Sequence, residues 1–182
     1  PQSRDVGLLT ISGGTSVVYT DLSIESGLDI PQTSQETVKK LDPLIRDVGT
    51  GLGNPIDLAA DYYQDQTISD VIRILGDESR FASIIIEGDV HNIHQVSSII
   101  DAADVVEYFW KSMADAGEET SKKKKKPVLV ALPDVAYPSA REEAWNIFVS
   151  HGLPVFRSFK EAVDALARVC DYYETKRART ID

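Results

Sequence analysis

The first residues whose types and spacing could handle a charged reactant are Ser12-Gly13-Gly14-Thr15-Ser16, directly after the apolar run Val6-Gly7-Leu8-Leu9-Thr10-Ile11. A strand that turns sharply into a helix leaves the first helical N–H groups without intrahelical acceptors. The aligned peptide dipoles add about half a positive charge at that end. Glycines permit positive φ and close backbone approach, and the Thr15 and Ser16 hydroxyls can cap the helix or donate to phosphate oxygens. The outcome is an anion site that needs no Lys or Arg. The same residues also fit a tight turn whose glycines serve geometry alone. The pattern is neither GxxxxGK[ST], since no lysine follows, nor GxGxxG, so the residues by themselves leave both readings open.

Other reactive side chains are sparser. His91 and His94 stand three apart, with Glu87 and Asp89 just before them. Two histidines on one helix face could begin a metal site, but no second cluster accompanies them. They read as polar residues near a ligand edge, and no metal site is expected. Asn54-Pro55-Ile56-Asp57 could meet a ligand or a neighbouring domain, although the residue before a proline is held extended by sterics, which favours a structural role. Asn54, Asp57 and Glu87 are the candidate contacts beyond the glycine turn. Lys122 to Lys126 form a run of five lysines. It could attract phosphates or an acidic partner, but it fits better as a solvated connection. Cys170 lies beside Val169 in an apolar stretch and reads as packed. No catalytic residue is expected within this chain. A phosphoacceptor receiver domain is disfavoured, because such domains need an acidic pair after the first strand and this one ends in Ser-Gly-Gly.

The elements that must position these residues alternate. Strands are predicted at 6–11, 28–31, 81–88, 127–132 and 154–156. Helices are predicted from the glycine turn to Gly27, from Ser34 through Val38, Leu41, Leu44 and Ile45, at 67–75, at 93–116, at 139–151, and from Ser158 to about Tyr173. Val17, Val18, Leu22 and Ile24 are the apolar positions of the first helix, and Gly27 suits the left-handed residue just past its end. The stretch from Asp47 to Asp61 reads as loop. Strict alternation of short apolar strands with helices implies right-handed crossovers and a parallel sheet covered on both faces. The expected fold is α/β: a flavodoxin-like three-layer sandwich with five strands in the order 2-1-3-4-5. In such sheets ligands bind outside the carboxyl ends of the strands, where the turns after Ile11 and Glu87 lie.

Length and composition agree with one domain. The chain has 182 residues, 42% hydrophobic and 26% charged, with a formal net charge of −10. That negative field opposes binding to nucleic acid or anionic lipid. No apolar run approaches the roughly 18–20 residues of a membrane span, no signal peptide is recognisable, and a cytoplasmic protein is expected. A single cysteine excludes an internal disulfide. Residues 4–174 are expected to form the domain and 175–182 a tail or linker. The start at Pro1 and the single methionine, Met113, predict a segment of a longer polypeptide or a processed N-terminus.

From Val6 to about Tyr173 the chain resembles the succinyl-CoA-ligase-like flavodoxin domain of NDP-forming (ADP-forming) acyl-CoA synthetases. The residues that carry the resemblance are Thr10-Ile11-Ser12-Gly13-Gly14, Thr20-Asp21, Gly27-Leu28, Asn54-Pro55-Ile56-Asp57-Leu58, Lys126-Pro127-Val128-Leu129 and Gly152-Leu153-Pro154-Val155-Phe156, in the family's order. The resemblance implies a ligase that interconverts acyl-CoA, ADP and phosphate with acid, CoA and ATP. A phosphohistidine from another domain would be held partly by Ser12, Gly13, Gly14, Thr15 and Ser16. It implies no tightly bound cofactor, with phosphate at the helix N-terminus and ADP, ATP and CoA bound elsewhere. The implied partners are a CoA-binding and phosphohistidine domain and a nucleotide-grasp domain; self-association into a homo-oligomer is left open. The family's nucleophilic histidine, in a Ser-His-Thr-like setting, is absent here, so this chain alone should not complete a turnover. The same module is found fused to acetyltransferases, which leaves a regulatory or interaction domain as the alternative.

Overall fold

The computed structural model describes residues 1–46, 48–100, 103–133 and 136–181. Its strands are β1 (Val6–Thr10), β2 (Ile56–Asp57), β3 (Ser83–Glu87), β4 (Val128–Ala131) and β5 (Val155–Phe156). Its helices are α1 (Gly13–Glu25), α2 (Gln35–Leu41), α3 (Asp65–Asp77), α4 (Val90–Ile100), α5 (Ala103–Lys123), α6 (Pro138–Ser150) and α7 (Phe159–Ile181). The strands form one all-parallel sheet in the order β2-β1-β3-β4-β5, as expected. Successive strand side chains point to opposite faces, and that alternation separates two cores. Leu9, Ile84, Ile86, Val128 and Val130 pack with residues of α3, α5 and α6, among them Ile72, Trp110, Met113 and Phe148. Val6, Leu8, Ile85, Leu129 and Ala131 pack beneath α1 and α7, against Tyr19, Phe159, Val163 and Leu166. Among the described residues no helix is long and apolar enough to cross a membrane.

The second strand is not where the alternation put it. Leu28–Ile30 contributes one bridge, Asp5 to Asp29, and β2 lies inside the stretch expected to be loop, whose first residue, Asp47, is outside the described residues. The outer edge of β1 is shared by three segments. Asp29 bonds the backbone of Arg4 and Val6 (3.0 and 2.9 Å). The Asn54 side chain then takes the place of a strand, accepting from Leu8 N (2.9 Å) and donating to Val6 O (2.8 Å). Ile56 and Asp57 pair with Leu9 and Thr10. Pro31, which lacks an N–H, follows too soon for 28–30 to extend along β1.

Three helices also differ. The single helix expected over 93–116 is two, α4 and α5; residues 101 and 102 lie outside the described residues. At 3.6 residues per turn, one continuous helix would set Ile93 about 160° from Phe109, yet both are buried in the same core. In α1, Val17, Val18 and Ile24 are exposed (63, 53 and 59%) rather than packed. The inward stripe is Thr15, Tyr19 and Ser23, with the Tyr19 ring stacked on Phe159 at 3.7 Å between centroids. The final helix does not end near Tyr173 but runs to Ile181. Arg4 pairs with both Asp171 and Glu174 and ties its outer turns to the chain start. Gly27 does end α1, at φ +78°, donating to Ile24 O (2.9 Å).

Candidate functional site

The corner between β1 and α1 lies at the carboxyl edge of the sheet. Ser12 is the N-cap, in extended backbone at φ −159° and ψ 153°, the conformation such caps prefer. Its Oγ accepts from Thr15 N at 3.2 Å, and its carbonyl accepts from Ser16 N at 2.9 Å. The hydroxyls turn inward as well. Thr15 Oγ1 donates to Glu87 Oε2 (3.1 Å) and lies 3.0 Å from Ser12 O; Ser16 Oγ lies 2.9 Å from Ser12 O and 2.7 Å from Thr10 Oγ1. The donors left for a guest are the N–H groups of Gly13 and Gly14, both exposed and both without a protein acceptor among the described residues. Neither glycine has positive φ; both are the first helical residues, so their value is bare backbone rather than an unusual turn.

Behind this end sits Glu87, the last residue of β3 and 5% exposed. Its carboxylate accepts from Ile11 N (3.1 Å), Thr15 Oγ1 (3.1 Å) and Tyr19 OH (2.7 Å). Burial pushes the Glu87 pKa up, against the three donors, which favour the ionised form. Burial and the neighbouring Glu87 charge push the Tyr19 phenol well above its usual range. Asp57 closes the β2 side: its Oδ1 accepts from Ala59 N (2.9 Å), and its Oδ2 lies 3.6 Å from where a Cβ on Gly13 would stand. Asp89 caps α4, accepting from Asn92 N (3.2 Å) and Tyr63 OH (2.6 Å), while Tyr62 OH donates to Glu87 O (2.6 Å). The corner therefore combines two outward amides and a helix dipole with buried carboxylates that temper the field.

Of the residues singled out from sequence, Ser12 to Ser16, Asp57 and Glu87 come together here. Asn54 does not: its amide is consumed by Leu8, Val6 and Pro31 O (3.0 Å). His91 and His94 pack on Tyr137, with ring centroids at 5.4 and 4.3 Å, apart from Glu87. The lysine run is largely used internally. Lys122, Lys123 and Lys124 pair with Glu118, Glu119 and Asp77. Lys126 is buried and donates to Leu75 O (3.2 Å) and Glu78 O (2.6 Å) at the end of α3, where a cation complements the helix dipole. Tyr19 was missed; its place four residues after Thr15 puts both on one helix face.

These features define a doubly wound, flavodoxin-like α/β module with the bare N-terminus of its first helix at the ligand edge of the sheet. No protein family matches the sequence, and no curated protein matches it. Among solved structures the chain is similar to PH0766 from Pyrococcus horikoshii OT3, with a TM-score of 0.72 and 19% identity over 93% of this chain and 36% of that one. It is also similar to dinucleotide forming acetyl-coenzyme A synthetase 1 from Ca. Korarchaeum cryptofilum, in the apo form and in complex with phosphate and ADP. Both give a TM-score of 0.72 and 17% identity over 99% of this chain and 35 or 34% of those. The chain spans about a third of the length of these proteins, and the likeness at this identity is one of fold.

Proposed function

We propose that this chain is a domain of an NDP-forming acyl-CoA synthetase, in which the N-terminus of α1 helps hold the phosphoryl group of a phosphohistidine supplied by another domain. The observation that carries the reading is the pair of unengaged, exposed amides at Gly13 and Gly14, at the sheet edge where doubly wound folds bind ligands. The fold likeness supports it, since a chain with this module was solved with phosphate and ADP. In the overall reaction phosphate displaces CoA from the acyl group, the acyl phosphate passes its phosphoryl group to histidine with release of the acid, and the phosphohistidine passes it to ADP. This chain supplies no nucleophile. Its amides offset charge on the phosphoryl oxygens, and Glu87 locks Ile11, Thr15 and Tyr19 so that the two amides face outward. CoA, the histidine and the nucleotide belong to partner domains.

The test is ATP formation from ADP, phosphate and a panel of acyl-CoAs by the protein in the chain or subunit set that carries this domain. ATP is expected only when all three are present, and Gly13→Pro should lower the rate. A protein that forms no ATP with any acyl-CoA contradicts the reading. A second reading, a non-catalytic regulatory domain, draws on Ser12, whose cap already takes the Thr15 and Ser16 amides; it predicts phosphate or acyl-phosphate binding without turnover.

A further inference from the structure

His151 follows the last turn of α6, and the helix end fixes its ring. Nδ1 lies 2.7 Å from the carbonyl oxygen of Ile147. A carbonyl only accepts, so Nδ1 carries the hydrogen and Nε2 is left to face outward. Nε2 lies 3.2 Å from Asp115 Oδ1 on α5. A carboxylate oxygen of Glu118, one turn further on, completes three ligand atoms within 4.8 Å of one another. With Nδ1 protonated, a bare Nε2 and a carboxylate would set lone pair against lone pair at hydrogen-bond distance. A positive species belongs between them, either a second proton on the imidazole or a metal cation.

Three features favour the metal. An Nδ1–H held by a backbone carbonyl is the outer bond that fixes tautomer and ring orientation in metal-binding histidines. A second carboxylate is in place, whereas a shared proton needs only one. One imidazole and two carboxylates also suit tetrahedral zinc, which binds them at about 2.0–2.2 Å and so sets its ligand atoms about 3.3–3.5 Å apart. The His151–Asp115 pair, at 3.2 Å, is close to that spacing, and Glu118 has to close by about 1.5 Å at most. The helix faces beneath are packed into the core: Met113, Ala114 and Ala116 of α5 and Ala144 and Phe148 of α6 are fully buried. Glu118 now pairs with Lys122. Lys122 is therefore the metal's competitor for that carboxylate.

We propose that Asp115, Glu118 and His151 form a zinc site that bridges α5 and the end of α6, with a fourth position open to solvent. It lies toward the amino ends of the strands, away from Gly13 and Gly14, and departs from the expectation of no metal. Calorimetric titration of the full chain with zinc chloride tests it, with cobalt(II) absorption as the geometric probe. The expected result is one zinc per chain with micromolar affinity, and cobalt bands of four-coordinate intensity. His151→Ala and Glu118→Gln should each weaken binding at least tenfold, and Lys122→Ala should tighten it several-fold by freeing Glu118. Melting curves without metal show that the variants fold. No saturable binding, or an affinity unchanged in both His151→Ala and Glu118→Gln, overturns the proposal and leaves an imidazolium–carboxylate ion pair.

Discussion

Replacing Gly13 by proline removes one of the two outward N–H groups and leaves the rest of the corner in place. Gly13 is the first helical residue, where proline is well tolerated because that N–H has no helical partner. The preceding Ser12 has φ −159° and ψ 153°, inside the region that a residue before proline prefers. A Cβ at position 13 would come no closer than 3.6 Å to Asp57 Oδ2, an ordinary contact. Gly→Pro at a compatible site stabilises by about 0.4–1 kcal/mol through the unfolded chain, which raises Tm by roughly 1–4 °C for a domain of this size. Losing one hydrogen bond to a charged group costs about 1.5–3 kcal/mol, which weakens phosphate binding by roughly ten- to hundredfold. Differential scanning calorimetry reads the first effect and titration calorimetry with inorganic phosphate the second. A variant that melts as high as the parent or higher and binds phosphate equally well refutes the reasoning.

Three further outcomes follow from individual contacts. Asn54→Ala strands the buried N–H of Leu8 and the carbonyl of Val6; at about 1–3 kcal/mol per unsatisfied group, urea unfolding should show a loss of roughly 2–6 kcal/mol. Burial alone would raise the Glu78 pKa, but hydrogen bonds from Ser34, Arg80 and Thr37 outweigh it and hold it at about 2, against an ordinary 4.5. A depressed folded-state pKa stabilises above the unfolded value and is lost as pH falls through the folded one. Stability should therefore drop by about 3 kcal/mol between pH 5 and pH 2, and Glu78→Gln should flatten that drop. Glu87→Gln removes a buried negative charge behind the helix N-terminus; phosphate affinity at neutral pH should rise about three- to tenfold, and an unchanged affinity would show that Glu87 does not oppose the guest.

The sheet order was legible because β1, β3 and β4 are continuous apolar runs, as strands buried on both faces must be. β2 was not. Two residues, Ile56 and Asp57, have no period to detect, and the slot before them is filled by the side chain of Asn54, which no strand pattern encodes. The exposed face of α1 was misread for a related reason: Val17, Val18 and Ile24 look like core, while the inward positions are held by Thr15, Tyr19 and Ser23, whose partners Glu87 and Phe159 are far along the chain. The turn into α1 was readable from the two glycines after an apolar run, although Ser12, not Thr15 or Ser16, is the cap. The capacity of the site was not, because the hydrogen bonds by which Ser12 and Glu87 engage Thr15 and Ser16 depend on the folded corner. The five lysines gave a charge count without their partners, and His151 became of interest only once α6 brought it to Asp115.

Phosphate titration of the 15N-labelled protein, followed at the amides of residues 13 to 16, bears most directly on the role of the α1 N-terminus. Saturable shifts largest at Gly13 and Gly14, smaller at Thr15 and Ser16, and competed by acetyl phosphate, are the predicted result. Shifts spread evenly over the lysine-bearing surface, with Gly13 and Gly14 unmoved, would contradict it.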